Sequence, residues 1–284
     1  MSDKTLLLNP SSKSGKGKKN WEYFLKQDFN EIVTNSEEHT IQSVIEADSE
    51  TMVAVGGDGT INLVINGIMK SDKKKALGVL YSGTSPDFCK FHKIPINPKE
   101  ALDVLNRANR ELVDVMKITY LKDNSVAYFG SSCNIGLGAQ IADISNKIRR
   151  FFGDLLGTLI AAIFAIISAK PFKALINIDG EKFELDNIYH VIVLKNNFIA
   201  SGIHLNIETK TDDGKIYVLA IRKPLLKSLT GLYDGKIPQG AFLKCGKKVF
   251  VETTPKQKTE FDGDSKAETP VMIECLEKSL EIIK

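Results

Sequence analysis

Residues 51–68, TMVAVGGDGTINLVINGI, change period half-way. An apolar run from Thr51 to Val55 stops at Gly56 and Gly57, then Asp58, Gly59 and Thr60 follow. Beyond them Ile61, Val64, Ile65 and Ile68 recur at the i, i+3, i+4, i+7 spacing of one helix face. A buried strand therefore feeds a helix through a glycine-rich turn. The rest of the first third repeats the alternation, with strand-like runs at Thr5 to Leu8, Glu31 to Thr34 and Ala76 to Leu80 and a further helical stripe at Ile41, Val44 and Ile45. A βαβα order calls for a parallel sheet covered by helices, and ligands of such sheets sit beyond the carboxyl ends of the strands.

After about residue 110 the texture changes. Short apolar or alternating runs, Phe172 to Ile178, Ile188 to Leu194, Ile216 to Ile221, Lys248 to Thr253 and Val271 to Leu276, are separated by Asp-Gly turns, which is an all-β pattern. One segment interrupts it, Asp154 to Ala169 (DLLGTLIAAIFAIISA), whose apolar run falls short of the roughly twenty residues needed to cross a bilayer. A buried or interdomain helix is expected there, the alternative being one that contacts lipid.

Composition narrows the chemistry. A chain of 284 residues is long enough for two domains, and MSDKTLLLNPSS has neither the charged start nor the long apolar centre of a secretory signal, so a cytoplasmic address is expected. Cys89, Cys133, Cys245 and Cys275 are scattered without a C-x-x-C pair, and His39, His92, His190 and His204 lack ligand spacing. The cysteines are expected reduced and mostly packed, and any metal should be held by carboxylates. A net charge of +3 does not call for nucleic acid. Lysines do cluster at Lys13, Lys16, Lys18 and Lys19 and at Lys73 to Lys75, as solvated faces or as an attraction for phosphates and anionic membrane.

Three strand ends carry loops of small and polar residues. NPSSKSGKGKK, residues 9–19, offers Ser12, Ser14, Gly15 and Gly17 among lysines, a phosphate cradle or a plain surface loop, without the Walker A spacing. In the second, Gly56 and Gly57 permit close approach while the amides from Gly57 to Ile61 open a helix whose positive end attracts anions. A bare carboxylate there would repel phosphate. Asp58 makes sense facing a nucleotide's magnesium ion or the attacking hydroxyl, the alternative being a turn residue or helix cap. The third loop, SGTSPDF at residues 82–88, repeats the arrangement with Gly83, Thr84 and a second acid, Asp87.

GGDGT before an amphipathic helix, together with LGVLYSGTSPDFCKFHKIP, resembles the diacylglycerol kinase catalytic family, which includes bacterial lipid kinases and sphingosine kinases. NPSSKSGKG, Val33-Thr34, GLGAQI at 136–141, TDDGKIYV at 211–218 and FDGD at 261–264 continue the match in order. The resemblance implies an N-terminal α/β nucleotide-binding domain with a parallel sheet, residues 1–115, joined to a C-terminal β-sandwich-like domain with inserted helices, residues 116–284. It implies ATP and magnesium as cofactors and a lipid hydroxyl as acceptor. Nucleotide contacts would come from Asn9, Pro10, Ser12, Ser14, Gly15, Thr34, Gly56, Gly57, Asp58, Gly59, Thr60, Asn62, Gly83 and Thr84. Asp58 and Asp87 would organise magnesium and water at the γ-phosphate, and Asp262 and Asp264 would come from the β domain, one of them near the attacking hydroxyl. In similar kinases the loop matching KTDDGK holds a structural magnesium, here through Lys210, Asp213 and Lys215. Implied partners are ATP, a lipid substrate and, transiently, a peripheral membrane surface, with no nucleic acid and with room for a homodimer.

Two departures stand out. Pro86 replaces the family's usual asparagine, removing an amide donor and restricting Ser85, and Asp264 replaces its usual glutamate, with one methylene less reach. Two other readings stand beside the lipid kinase: NAD kinase, which shares GGDGT and the same domain plan although CNIGLGAQI, residues 133–141, does not read like its usual segment, and a non-catalytic nucleotide-binding regulator on the same fold.

Overall fold

The four early apolar runs form β1 (Lys4–Leu8), β2 (Asn30–Val33), β3 (Thr51–Gly56) and β4 (Ala76–Tyr81), and they pair in parallel in the order β2-β1-β3-β4. The computed structural model describes residues 3–10, 28–152, 154–199, 203–222, 236–261 and 264–284. Among the described residues, four helices accompany them in this half: α1 (Glu37–Glu46), α2 (Asp58–Lys70), α3 (Asp87–His92) and α4 (Pro98–Arg107). Strand alternation sorts the side chains. Leu7, Met52, Ala54, Leu77 and Val79 pack with Val44, Ile61, Val64 and Ile65 on one face. Leu6, Leu8, Val53, Val55 and Leu80 meet Ala101, Leu102 and Leu105 of α4 on the other. Helix ends are capped as the residues dictate: Ser36 accepts from the His39 amide, and Asn97 from those of Lys99 and Glu100.

The remainder supplies β5 (Arg110–Tyr120), β6 (Ser125–Phe129), β7 (Ser132–Gly136), α5 (Leu137–Phe152), α6 (Asp154–Ser168), β8 (Phe172–Ile178), β9 (Glu181–Ile188) and β10 (His190–Leu194). Then come β11 (Phe198–Ile199), β12 (Ile203–His204), β13 (Ile216–Ile221), β14 (Phe242–Gly246), β15 (Lys248–Thr254), β16 (Lys258–Phe261), β17 (Asp264–Glu268) and β18 (Val271–Ile283). Among the described residues, β7, β10, β13, β14, β16 and β17 form one antiparallel sheet, ordered β14-β13-β10-β7-β16-β17. It packs face to face on β5, β8, β15 and β18 through Met116, Ile118, Val191, Val193, Val218, Val249 and Ile273. This is the sandwich.

The first sheet does not stop at β4. The last strand, β18, lies beside it, in parallel register where Glu281 and Ile282 oppose Ala76 and Leu77, and the sheet continues through β15, β8 and β9. One mixed sheet thus runs through both halves, and β4 is spared an open edge. The helix α6 also departs from expectation. Ala161 and Ala165 are buried, but Ile163, Phe164 and Ile167 on the opposite side are exposed by 43, 63 and 77 %.

Candidate active site

The carboxyl ends of β1 to β4 bring the three motif loops together. Asn9 follows β1, donates its amide to the Val55 carbonyl at 3.2 Å and sends its side-chain amide to the Thr60 hydroxyl at 2.9 Å. Thr34, just past β2, is buried and directs both its amide and its hydroxyl at the Leu8 carbonyl, 2.9 and 3.2 Å away. The glycines work by closeness. A Cβ on Gly83 would lie 2.5 Å from the Gly57 Cα, so the β3–α2 and β4–α3 turns touch backbone to backbone. At Gly56 a Cβ would come within 2.2 Å of the Thr60 hydroxyl oxygen.

Gly57 is the N-cap of α2, so Asp58 stands in the first turn of the helix and does not cap it. The residue is partly buried as a whole, yet its Oδ1 is closed off from solvent and meets no hydrogen-bond partner among the described residues. Burial, and after it the charge of Asp87, push the Asp58 carboxyl up to about 8, against the pull of the backbone amides of Asp87 and Phe88. Asp87 opens α3, is 7 % exposed, and accepts the Ser85 hydroxyl on Oδ2 at 3.0 Å. Pro86 is the α3 N-cap and offers no side-chain cap, while Thr84 is exposed. Two acids predicted to share one ion are therefore neighbours, and the orphaned Asp58 oxygen fits a hard cation brought by a nucleotide.

Asn62 takes a different part. Its Oδ1 accepts the Gly130 amide at 2.9 Å, and one turn later Asn66 exchanges hydrogen bonds with the Tyr128 backbone at 2.6 and 2.9 Å. Both asparagines are buried and fasten α2 to the β6–β7 connection. Phe129, beside Gly130, stacks on Phe261 with ring centroids 5.3 Å apart. Phe261 pairs with Asp264 across the β16–β17 hairpin, so the FDGD segment is tied through these contacts to the helix that begins at Asp58. Asp262 itself lies outside the described residues, as do Ser12, Ser14 and Gly15. Pro10 follows Asn9 at the last described position before that gap, and Gly59 lies in the first turn of α2.

A second polar cluster lies in the sandwich. Lys195, directly after β10, is 1 % exposed, and its ammonium reaches Asp114 Oδ2 at 2.5 Å, Asp213 Oδ1 at 2.6 Å and the Lys215 carbonyl at 3.0 Å. Burial opposes its charge, but the two carboxylates outweigh that and raise the lysine above its ordinary range. Lys210 is exposed, and Thr211 beside it gives its carbonyl to the Asp114 amide at 2.8 Å. The atoms expected to hold a structural magnesium at Asp213 and Lys215 thus already hold a cation, and the residues present do not fit a metal there.

Residues 3–118 match the model of the diacylglycerol kinase catalytic domain, and residues 131–284 that of the YegS C-terminal NAD kinase beta sandwich-like domain. The chain belongs to this family of two-part kinases. A protein of Staphylococcus haemolyticus named "Putative lipid kinase" is 25 % identical over 84 % of this chain and 77 % of its own length, and a Staphylococcus epidermidis protein of the same name is 26 % identical over 84 and 77 %. Among solved structures, one titled a "putative diacylglycerol kinase" from Bacillus anthracis matches with a TM-score of 0.80 at 22 % identity, over 99 % of this chain and 94 % of that one. Yeast NADH kinase complexed with NADH matches at a TM-score of 0.58 and 12 % identity, over 98 and 82 %. Both structural likenesses concern the fold.

Several polar residues of this family member escaped the motifs. His190 Nε2 lies 3.0 Å from Asn134 Oδ1, whose amide donates to Glu260 Oε2 at 2.7 Å, immediately before FDGD. Burial holds His190 down at about 4, so the ring is neutral. The asparagine of CNIGLGAQI was the visible signal: an amide inside an apolar strand needs partners. A hollow of about 470 Å³ lined by Asp3, Thr5, Asn30, Asp48 and Glu50 lies at the opposite ends of β1 to β3 and has no part in this cluster.

Proposed function

We propose that the chain is an ATP-dependent, magnesium-requiring lipid kinase that transfers the γ-phosphate to a lipid hydroxyl, with diacylglycerol or a related lipid as acceptor. The observation that carries this is Asp58, an acid at the strand ends with one oxygen shut away from solvent and from every donor among the described residues, beside a second acid. Asp58 and Asp87 would hold the nucleotide's magnesium ion, which supplies positive charge against the phosphate oxygens.

The protein's own groups do the positioning. Asn9 and Thr60, locked to each other, and the α2 amides that open at Gly57 receive the phosphates, with Pro10, Ser12, Ser14, Gly15, Thr34, Gly83 and Thr84 around the nucleotide. Asp262 takes the proton of the lipid hydroxyl as that oxygen bonds to the γ-phosphorus and the bond to the ADP oxygen breaks, and Asp264 is the second acid of the same motif. Little covalent work is left to the protein, and alignment with charge stabilisation supplies most of the rate.

The acceptor is drawn from a membrane surface. α5 packs on β16 and β17 and α6 packs on α5, so the exposed Ile163, Phe164 and Ile167 lie one layer from the FDGD hairpin. Among the described residues no helix is long and apolar enough to cross a bilayer, and α6 would lie on it. Replacing these three by serine should release the protein from vesicles in co-sedimentation while its melting temperature stays unchanged.

The test is transfer from radiolabelled ATP to vesicles carrying diacylglycerol, phosphatidylglycerol, a long-chain base or a polyprenol. Labelled lipid that depends on magnesium and vanishes in Asp58→Ala is the expected result. Labelled NADP from NAD with no labelled lipid would make the chain an NAD kinase. Tight ATP binding without any product would make it a regulator.

A further inference from the structure

The cluster around Lys195 has the donor set of a metal site and a different occupant. Asp114 and Asp213 contribute a carboxylate oxygen each and Lys215 its carbonyl, an all-oxygen set of the kind a hard divalent cation takes. The three N–H groups of the ammonium meet these three acceptors, one each. The outer ring is also filled: Asp114 Oδ2 accepts the Gly214 amide at 2.7 Å, Asp114 Oδ1 the Lys278 amide at 2.9 Å, and Asp213 Oδ1 the Lys215 amide at 3.1 Å. Cys275 Sγ stands 3.6 Å from Asp114 Oδ2. The Asp114 side chain is 0 % exposed and the Lys195 side chain 1 %. A fully buried carboxylate such as Asp114, with a second at its side, is tolerable only with a cation between them, and the chain supplies that cation itself.

We infer that Lys195 is a built-in monocation that takes the place of a divalent ion in the turn before β13, so that the nucleotide-free protein binds no metal there. The lysine is covalently held where an ion would have to be recruited, and the turn keeps its shape at any magnesium concentration. The shape has a reader. Lys195 and Asn196 both give their amides to the Ser131 carbonyl, and the Asn196 side chain donates to the Ser131 hydroxyl at 3.1 Å. Ser131 adjoins Gly130, the residue that Asn62 fastens to α2. The fixed cation is therefore joined by short links to the helix that begins at Asp58. The inference goes beyond the kinase reading and stands on nucleotide-free protein, so either can fail without the other.

The experiment is manganese binding followed by electron paramagnetic resonance, with magnesium-dependent melting temperature, on nucleotide-free protein and on Lys195→Ala. The native chain should show no stoichiometric manganese and no rise in melting temperature with magnesium. Lys195→Ala should melt lower without metal, bind one manganese ion, and regain stability as magnesium is added; Lys195→Ala/Asp213→Asn should lose both gains. One manganese bound by the native chain and lost in Asp213→Asn would overturn the inference, as would a folded Lys195→Ala that binds none. Should Lys195→Ala not fold, native protein and Asp213→Asn still decide the matter: identical, flat metal titrations support it, and a metal response present only in the native chain refutes it.

Discussion

Two pairs of acids sit inside this molecule, and they are treated in opposite ways. Asp114 and Asp213 share the Lys195 ammonium, and Asp114 is further wrapped by backbone amides. Asp58 and Asp87 are neighbours at the strand ends, Asp58 with one oxygen that no donor among the described residues meets and a carboxyl pushed up to about 8. The first pair is satisfied and structural. In the second, Asp58 is held at a cost that folding alone does not require, and such a strained acid marks a place where a ligand completes the electrostatics. The difference locates function more sharply than either pair would alone.

The comparison breaks most visibly at Asp58. Asp58→Ala should lower the phosphoryl-transfer rate on the order of 10³–10⁵-fold, the scale of a lost charge clamp in such reactions, while circular dichroism stays native. An undiminished rate would remove the acid from the mechanism. At the satisfied pair the expected injury is to stability. Asp114→Ala leaves Lys195 buried with half its countercharge and two amides without acceptors, and should cost about 3–5 kcal/mol in denaturant unfolding. A cost near zero would mean that the cluster is not held as described.

Those two positions also show what a sequence displays and what it hides. Asp58 was legible because the change from strand to helix period is local, and a glycine-acid-glycine turn at that junction has few uses. The parallel order of β1 to β4 followed from the same alternation. The placement of β18 beside β4 was not legible, since nothing near residue 282 indicates that its partner is at residue 77. The strand β5 likewise runs across residue 115 without a break in pattern. Lys195 was half-legible. By strand alternation it shares the side of Val191 and Val193, which face the sandwich core, so a lysine there must find countercharge; the chain does not say that Asp114, 81 residues away, provides it. Asn62 and Asn66 gave a similar signal, amides one turn apart on an otherwise apolar helix, and their backbone partners became visible only in three dimensions.

A smaller effect separates the pairs by the sign of their pH dependence. The Asp58 carboxyl has a folded value above its ordinary 3.8, so the stability it contributes is fully present below 3.8 and is lost as pH rises through about 8. Asp58→Asn, which stays neutral, should match the native protein near pH 4. It should then become the more stable of the two towards pH 8, by about 1–2 kcal/mol once the partly exposed remainder of the side chain is allowed for. Urea unfolding of the nucleotide-free protein across that range measures it, and parallel curves would deny that Asp58 is strained.

The smallest effect runs the other way. Although burial opposes it, the Lys195 ammonium holds the Asp213 carboxyl below its ordinary 3.8, so its contribution is present above 3.8 and lost as pH falls through the lower folded value. The Asp213 side chain is 20 % exposed, and after Asp213→Asn the lysine keeps Asp114 and the Lys215 carbonyl. The expected cost is therefore only about 1 kcal/mol at neutral pH, shrinking towards zero in acid below 3.8. If Asp213→Asn were instead to gain stability as pH rises towards 8, in the manner of Asp58→Asn, the two pairs would be alike in kind, and Lys195 would not be neutralising its own.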